Sequence, residues 1–250
     1  MIPLGDDNSG RTLTPFIVYA LIAANAAVWF LQLTVGEPFT YGWATVPFEI
    51  THGTDLVRAA AMDMHGQDLA IPQYPGPTPI YFTLLSSMFM HGSWMHILGN
   101  MLYLHIFGDQ IEDLLGHGKF LLFYLACGLG AGAAQIAFQP DSVIPCLGAS
   151  GAIAGVLGAY LIKHPGNRVR VLMGRYITQM PAAVVLGMWI LLQIFSQVST
   201  PAGKGSGVAY MAHIGGFAVG FVLILIIGRG KNPGAAGGRR PGLFPGSWGR

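Results

Sequence analysis

The chain has 250 residues, of which 52% are hydrophobic and only 10% are charged. This composition argues against a soluble globular protein and indicates a chain that crosses a membrane several times. The formal net charge of +2 is too small to indicate nucleic-acid binding, so no nucleic-acid partner is expected.

Six apolar segments are predicted along the chain. Lipid offers no hydrogen bonds to an open backbone, and apolar runs of this length are helical. We therefore expect an all-α integral membrane protein, a bundle of six transmembrane helices embedded in the lipid bilayer. The segments are Thr14–Val35, Trp94–Gln110, Phe120–Phe138, Ser150–Ile162, Pro181–Val198 and Val208–Ile227.

The N-terminal residues 1–12 are polar and are predicted to form a frayed tail. The first apolar segment is long and no basic stretch precedes it, which indicates an uncleaved membrane span and not a signal peptide. If the tail is cytoplasmic, all of the 13 Lys and Arg residues except Arg58 and Lys204 lie on the cytoplasmic side. Because cytoplasmic loops are enriched in Lys and Arg, we expect both termini in the cytoplasm, at a prokaryotic plasma (inner) membrane.

Two further stretches lie outside the apolar segments. Residues 36–80 are predicted to form an outer loop, which is too long for a simple connection and carries aromatic residues suited to a membrane surface. Residues 229–250 are rich in Gly, Pro and Arg and lack an apolar period, so a disordered basic cytoplasmic tail is predicted. The six-helix domain accordingly extends over residues 13–228.

The second segment carries polar groups on one face. His96 and Asn100 are four residues apart, so both side chains point the same way from a helix. Taken alone, this pair fits interhelical hydrogen bonding as well as it fits chemistry. Glu112 follows close to a turn at Gly116, on the cytoplasmic side of this topology, and we expect it to accept backbone hydrogen bonds at that turn.

The fourth segment opens with Gly148-Ala149-Ser150-Gly151 and ends at Ile162. At ~1.5 Å per residue it covers about 20 Å of a hydrocarbon core of about 30 Å, so Ser150 begins below the membrane surface. The free N–H groups and the positive dipole at a helix start favour an anion, such as the oxyanion that forms when a serine attacks a carbonyl. Such a serine still needs a base.

The sixth segment supplies a candidate base. An imidazole inside a membrane is costly and marks a functional site, and His213 lies about 8 Å below the start of its segment, close to the level of Ser150. Small residues spaced by four, among them Gly216 and Gly220, let the two helices approach. We therefore predict Ser150 as nucleophile and His213 as general base and then acid, with the serine N–H and the two polar side chains of the second segment as the oxyanion hole. Because no carboxylate lies at this depth, the catalytic group is predicted to be a dyad.

In combination and order, these residues resemble the rhomboid intramembrane serine proteases over roughly Ser86 to Gly228. The resemblance implies cleavage of single-span membrane proteins at small residues, near the outer end of their transmembrane segment, without a metal or cofactor. The motifs that carry it are His96-x-x-x-Asn100, Gly108-x-x-x-Glu112-x-x-x-Gly116, Gly148-x-Ser150-Gly151 and Ala212-His213-x-x-Gly216-x-x-x-Gly220. The implied roles are catalysis for Ser150 and His213, oxyanion binding for His91, His96, Asn100 and Gly148, and structural support for Glu112, Gly216 and Gly220.

The sequence departs from the family pattern at two places. The outer loop has Phe82-Thr83 where the family often has Trp-Arg, and Ala154 stands four residues after the serine, where an aromatic residue often stacks on the histidine. We expect a substrate to reach the serine past the fifth segment and the loop Gln197–Gly207. The alternative function is that of a non-catalytic member of the same fold, which binds or escorts membrane proteins. A small transporter is disfavoured because the two halves of the chain show no repeat.

Overall fold

The computed structural model describes residues 1–64, 67–199 and 208–228. The described helices are α1 (Phe16–Val35), α2 (Glu37–Gly42), α3 (Pro47–His52), α4 (Thr83–Ser86), α5 (Trp94–Leu115), α6 (His117–Phe138), α7 (Ser150–Lys163), α8 (Ala182–Ser199) and α9 (Tyr210–Ile227). Short 3₁₀ turns at Ile80–Phe82 and Ser87–Phe89 flank α4. The strands are β1 (Ile2–Asp6), β2 (Ala60–Met64), β3 (Gln67–Ile71), β4 (Arg168–Met173) and β5 (Tyr176–Pro181). The predicted tail 229–250 and most of the loop Gln197–Gly207 lie outside the described residues.

Four of the described helices, α1, α6, α8 and α9, are long and apolar enough to cross a membrane. The chain is therefore an integral membrane protein. Helix α5 occupies the second predicted segment but carries Asp109, Glu112 and Asp113 towards its end, and α7 has only 14 residues. Each predicted apolar segment thus forms a helix, whereas the count of six membrane crossings stays a prediction.

The protein is mostly helical, but the expectation of an all-α chain misses five described strands. Three of them form an antiparallel sheet in the order β1-β4-β5. Val169 and Val171 alternate with arginines along β4 and are fully buried, so a period-two pattern holds this strand against the helices. The N-terminal residues that were expected to be frayed contain β1, which pairs with β4 between Ile2 and Asp6.

The outer segment 36–80 is built from short elements and covers the loop that leads to α7. Helices α2 and α3 precede an antiparallel hairpin formed by β2 and β3. The backbones of Thr45 and Cys146 exchange hydrogen bonds of 3.0 and 2.7 Å, which join the segment to the loop before Ser150. At the place of the family's Trp-Arg pair, Thr83 is buried and its carbonyl accepts a hydrogen bond of 2.8 Å from the Thr45 hydroxyl. A threonine contact therefore anchors the outer segment at α4.

The core of the protein lies where α6 and α9 enclose α7. Every residue of α7 from Gly151 to Tyr160 is buried. Gly216 and Gly220 of α9 lie against the carbonyls of Gly151 and Gly155, and a methyl group on either α9 glycine would overlap that backbone. The small residues of the two helices therefore stand at their contact, as close approach of two membrane helices requires.

Glu112 joins α5 to α1. Its carboxylate is fully buried and accepts the N–H groups of Ile17 and Val18 at 2.9 and 2.8 Å, while a third contact of 2.5 Å reaches His117 Nδ1. The free N–H groups at a helix start favour a carboxylate. The expected donors were those of the turn after α5, whereas the structure supplies them from the first turn of α1.

Candidate active site

Ser150 and His213 meet at the start of α7. The Ser150 hydroxyl is the first side chain of that helix, and His213 lies in the first turn of α9. The distance between Ser150 Oγ and His213 Nε2 is 2.7 Å, which is a hydrogen bond. The close packing of α7 on α9 through glycine sets this approach, because it holds the two helix starts side by side.

Gly148 shapes the turn that delivers Ser150. Its φ of +128° is a backbone conformation that residues other than glycine rarely adopt. A methyl group on Gly148 would lie 2.7 Å from His96 Nε2 and 3.6 Å from Ser150 Oγ, so glycine also lets the imidazole approach the serine. The Gly148 N–H donates to the Ser87 carbonyl at 2.8 Å and is therefore not available to an oxyanion. Gly148 contributes to an oxyanion site through its backbone conformation and its lack of a side chain.

His96 stands beside the serine at the start of α5. The Ser93 hydroxyl accepts the His96 N–H at 3.1 Å and thereby caps the helix. The Gly92 N–H donates to His96 Nδ1 at 3.4 Å, so the ring proton is on Nε2, the nitrogen that lies next to Gly148. The local backbone thus selects the tautomer in which His96 Nε2 is a hydrogen-bond donor beside the turn that carries Ser150.

Asn100 lies one turn further along α5 and borders the same cavity as Ser150. Its side-chain amide is 2.9 Å from His91 Nε2, and both side chains are buried. His91 therefore reaches the site through Asn100. Because an amide nitrogen can only donate, one Asn100 N–H is committed to His91, and the amide carries a second N–H beside the cavity.

Gln32 of α1 is a supporting residue that sequence reasoning missed. Its side chain donates to the His91 carbonyl at 2.8 Å and accepts the His91 N–H at 2.9 Å. Gln32 is only 4% exposed, so both hydrogen bonds are shielded from water. A glutamine near the end of an apolar segment was the available signal, but it did not indicate a partner 59 residues away.

Helix α8 contributes two more residues that the sequence did not reveal. Gln193 Oε1 is 2.8 Å from His213 Nδ1, and the Trp189 ring lies 5.8 Å from the His213 ring, tilted by 38°. Trp189 thus places an aromatic ring beside His213, although the position four residues after the serine is Ala154. The His213 ring is therefore held by a hydrogen bond from α8 as well as by packing.

An open cavity of about 580 Å³ lies next to these groups. It is bordered by α5, α7, α8 and α9, and its lining is largely apolar apart from the polar side chains already described. Among the lining residues are Met95, Tyr103, Ile153, Leu157 and Trp189. A much smaller cavity of about 60 Å³ lies on the other side of Ser150, towards α6. Over residues 1–64, 67–199 and 208–228, no group of three or more His, Cys, Asp or Glu side chains is placed to hold a metal ion.

Comparison with known proteins assigns the fold to a family. Residues 79–230 match the family model described as Rhomboid domain. RHOMBOID-like protein 4 of Arabidopsis thaliana is 27% identical over 229 residues, which cover 87% of this chain and 54% of that protein. Rhomboid-like protein 11, chloroplastic, from the same plant is 26% identical over 162 residues, which cover 60% of this chain and 54% of that protein. Rhomboid protease GluP of Bacillus subtilis (strain 168) is 32% identical over 151 residues, which cover 60% of this chain and 27% of that protein.

The chain is thus a helical membrane protein in which a serine and a histidine meet at the start of a short, enclosed helix. It belongs to the rhomboid family, since the family match covers more than half of its residues. The chain spans about half the length of the first of these relatives. Because the relatives include a plant protein named chloroplastic as well as Bacillus proteins, they give no support to the expected prokaryotic plasma membrane.

Proposed function

We propose that the protein is an intramembrane serine endopeptidase that uses Ser150 and His213 as a catalytic dyad. The observation that carries this proposal is the 2.7 Å hydrogen bond between Ser150 Oγ and His213 Nε2 at the start of α7. A serine activated by a neighbouring base is the general arrangement for acyl transfer. The membership of the rhomboid family and the named protease relative support the same chemistry.

The proposed reaction begins with attack of Ser150 Oγ on the scissile carbonyl carbon. The hydroxyl proton passes to His213 Nε2 as the carbon–oxygen bond forms. The resulting oxyanion is held by the Ser150 N–H, the His96 Nε2–H and the free N–H of the Asn100 amide. When the carbon–nitrogen bond breaks, His213 returns the proton to the leaving amine, and the acyl group stays on Ser150.

Water completes the reaction. His213 takes a proton from a water molecule that attacks the acyl carbon, and then returns it to Ser150 Oγ as the peptide acid leaves. The helix dipole and the free N–H groups at the start of α7 favour the negative charge in both steps. No carboxylate takes part in this scheme.

The proposed substrates are single-span membrane proteins, cut near the outer end of their transmembrane segment. The cavity beside Ser150 is open and largely apolar, which suits a segment that leaves the lipid. We place the entry of the substrate between α5 and α8, the helix of the fifth apolar segment. In this arrangement six helices are embedded in the bilayer, and both chain termini lie on the cytoplasmic side.

A fluorophosphonate reagent tests the proposal. The membrane-embedded protein is treated with the reagent and the adduct is mapped by mass spectrometry, next to Ser150→Ala and His213→Ala. We expect an adduct on Ser150 that is absent from Ser150→Ala and lost from His213→Ala, together with loss of transmembrane-substrate cleavage in both variants. Thermal unfolding of the three proteins checks that the variants are folded.

Two outcomes contradict the dyad. Cleavage retained in either folded variant would remove Ser150 or His213 from the reaction. Lack of any labelling in a folded wild type, whose cavity the reagent can enter, would favour the alternative, a non-catalytic rhomboid-fold protein that binds or escorts membrane clients. Capture of membrane partners would then be the next measurement.

A further inference from the structure

We propose that Gln193 of α8 is a positioning residue for His213: its side-chain carbonyl holds the ring in the tautomer that can take a proton from Ser150. The inference rests on the proposed protease function and extends it to a residue outside the motifs of the sequence. It also makes the alignment of the base depend on the position of α8.

Both ring nitrogens of His213 have partners. Nδ1 is 2.8 Å from Gln193 Oε1, and Nε2 is 2.7 Å from Ser150 Oγ. A carbonyl oxygen can only accept a hydrogen bond, so the first contact requires the ring proton on Nδ1. The lone pair is then on Nε2 and faces the serine hydroxyl. This is the tautomer that a general base for Ser150 needs.

The Gln193 amide orients His213 as a carboxylate orients the histidine in a Ser-His-Asp catalytic triad. In such triads the carboxylate orients the histidine and stabilises the imidazolium, and the wrong tautomer lowers kcat by about 10⁴. An amide orients the ring but supplies no charge, and it is less costly than an ionised side chain inside a membrane. The expected contribution is therefore smaller, about 10- to 100-fold in rate.

Gln193 is carried by the loosely packed part of α8. The buried residues of this helix, Ala182, Val185 and Leu186, are confined to its first turns. Beyond them Leu192 and Phe195 are largely exposed to the surroundings of the protein. Gln193 thus lies past the anchored turns and on the border of the open cavity. An outward movement of this part of α8 would widen the cavity and at the same time remove the acceptor from His213.

Three variants test the assignment in the full-length chain in lipid. Gln193→Leu removes the acceptor at similar volume, Gln193→Glu replaces the amide by a carboxylate of the same shape, and Gln179→Leu makes the same chemical change on the exposed strand β5. The readouts are the rate of Ser150 labelling by the fluorophosphonate reagent, the pH dependence of kcat for a transmembrane substrate, and the temperature of unfolding.

The expected results differ between the variants. Gln193→Leu should label and cleave about 10- to 100-fold more slowly with little change in KM, whereas Gln179→Leu should match the wild type. Gln193→Glu should recover most of the rate and move the rising limb of the pH profile upwards by about 1 pH unit, because a nearby carboxylate favours the imidazolium. A purely structural role would not move the pH profile.

The assignment is overturned if Gln193→Leu keeps the wild-type rate, or if Gln193→Glu has the wild-type pH profile. Should Gln193→Leu not fold, the pH profile of Gln193→Glu decides, since this variant keeps the shape of the side chain. Failure of the proposed function looks different, because the wild type itself would then not label at Ser150.

Discussion

The two sides of the candidate site are held together by different forces. On one side α7 and α9 touch through their backbones, since Gly216 and Gly220 lie against carbonyl groups of α7. On the other side the groups that border the cavity are held by side-chain hydrogen bonds, from Gln32 to the His91 backbone and from Asn100 to the His91 ring. The first side fixes the depth of serine and histidine, and the second orients the donors around them.

The difference predicts how each side responds to substitution. A backbone contact between two helices has no room for an added atom, so a change there moves whole helices. A chain of hydrogen bonds can lose one member and keep its remaining geometry in part. We therefore expect all-or-none effects at Gly216 and Gly220 and graded effects at the polar residues.

The largest effect is expected for Gly220→Val. The new side chain would overlap the backbone of Gly155, and because a backbone cannot rotate away, α7 and α9 must separate. We expect destabilisation of at least about 3 kcal/mol and loss of detectable Ser150 labelling, because overpacking against rigid neighbours is at the upper end of its usual cost. Thermal unfolding in detergent and labelling by the fluorophosphonate reagent measure the two effects.

The matched control is Gly187→Val on α8. A Cβ atom added there meets nothing within 4 Å, although this glycine also lies inside an apolar helix. We expect wild-type unfolding and labelling. Equal unfolding temperatures and equal labelling of Gly220→Val and Gly187→Val would contradict the idea that the α7–α9 contact is rigid.

Gly148→Ala is expected to have the next largest effect. A methyl group there would lie 2.7 Å from His96 Nε2, in a backbone conformation with φ of +128° that disfavours alanine. His96 must then move from the serine, and loss of one oxyanion donor typically lowers the rate by about 10²–10³. Cleavage kinetics with a transmembrane substrate measure the fall, which should be in kcat.

Gly174→Ala separates backbone strain from the contact with His96. Gly174 has φ of +61° in the turn between β4 and β5, and a methyl group there meets nothing within 4 Å. This variant should lose about 1 kcal/mol of stability and keep its activity. If it lost activity as Gly148→Ala does, strain and not His96 would explain both results.

Gln32→Leu tests the hydrogen-bonded side and should have a smaller effect. It removes the side-chain amide that bonds to the His91 carbonyl and N–H. The His91 ring, which is hydrogen-bonded to Asn100, is then no longer held in place. We expect kcat to fall about tenfold, since small misplacements of catalytic groups have effects of this size or larger. Thr34→Val on the same helix is the control, because the Thr34 hydroxyl donates to carbonyls of α1 and, among the described residues, to no other group.

The helices were largely predictable from the sequence, because an apolar run between polar stretches has few alternatives in lipid. The sheet was not predicted, although Val169 and Val171 alternate with arginines in the period of a strand. Arginines beside apolar segments also fit a cytoplasmic loop, and this explanation of the charges requires no strand. β1 could be recognised only after β4, since a five-residue strand that contains Pro and Gly has no strong signal of its own.

The site shows where sequence reasoning reaches its limit. Ser150, His96 and His213 stand in motifs whose spacing places them on helix starts or faces, so they could be singled out. Gln32 and Gln193 stand alone in apolar helices, and an amide there bonds to whatever the packing brings near. Their partners depend on the rotation of one helix against another, which no local pattern contains.

The smallest effect is expected in the outer segment, which is joined to the loop before Ser150 by the Thr45–Cys146 backbone bonds. Burial raises the pKa of Glu49 to about 7. A hydrogen bond from the Leu56 N–H acts in the opposite direction and lowers this pKa, but its effect is smaller. A carboxyl with a raised pKa binds more protons in the folded than in the unfolded state, so stability falls as the pH rises. The fall should extend from about the ordinary pKa of Glu to about pH 7, with little further change above it.

Glu49→Gln should abolish this part of the pH dependence, because a neutral amide does not titrate. We expect the unfolding temperature of the wild type to decrease between about pH 5 and pH 8 and that of the variant to change less. Glu37→Gln, on the exposed surface of α2, is the control and should behave as the wild type. If the rate of Ser150 labelling changed with pH in the wild type but not in Glu49→Gln, the outer segment would influence the position of Ser150. Labelling that is indifferent to Glu49 would instead show that the position of Ser150 does not depend on the protonation state of Glu49.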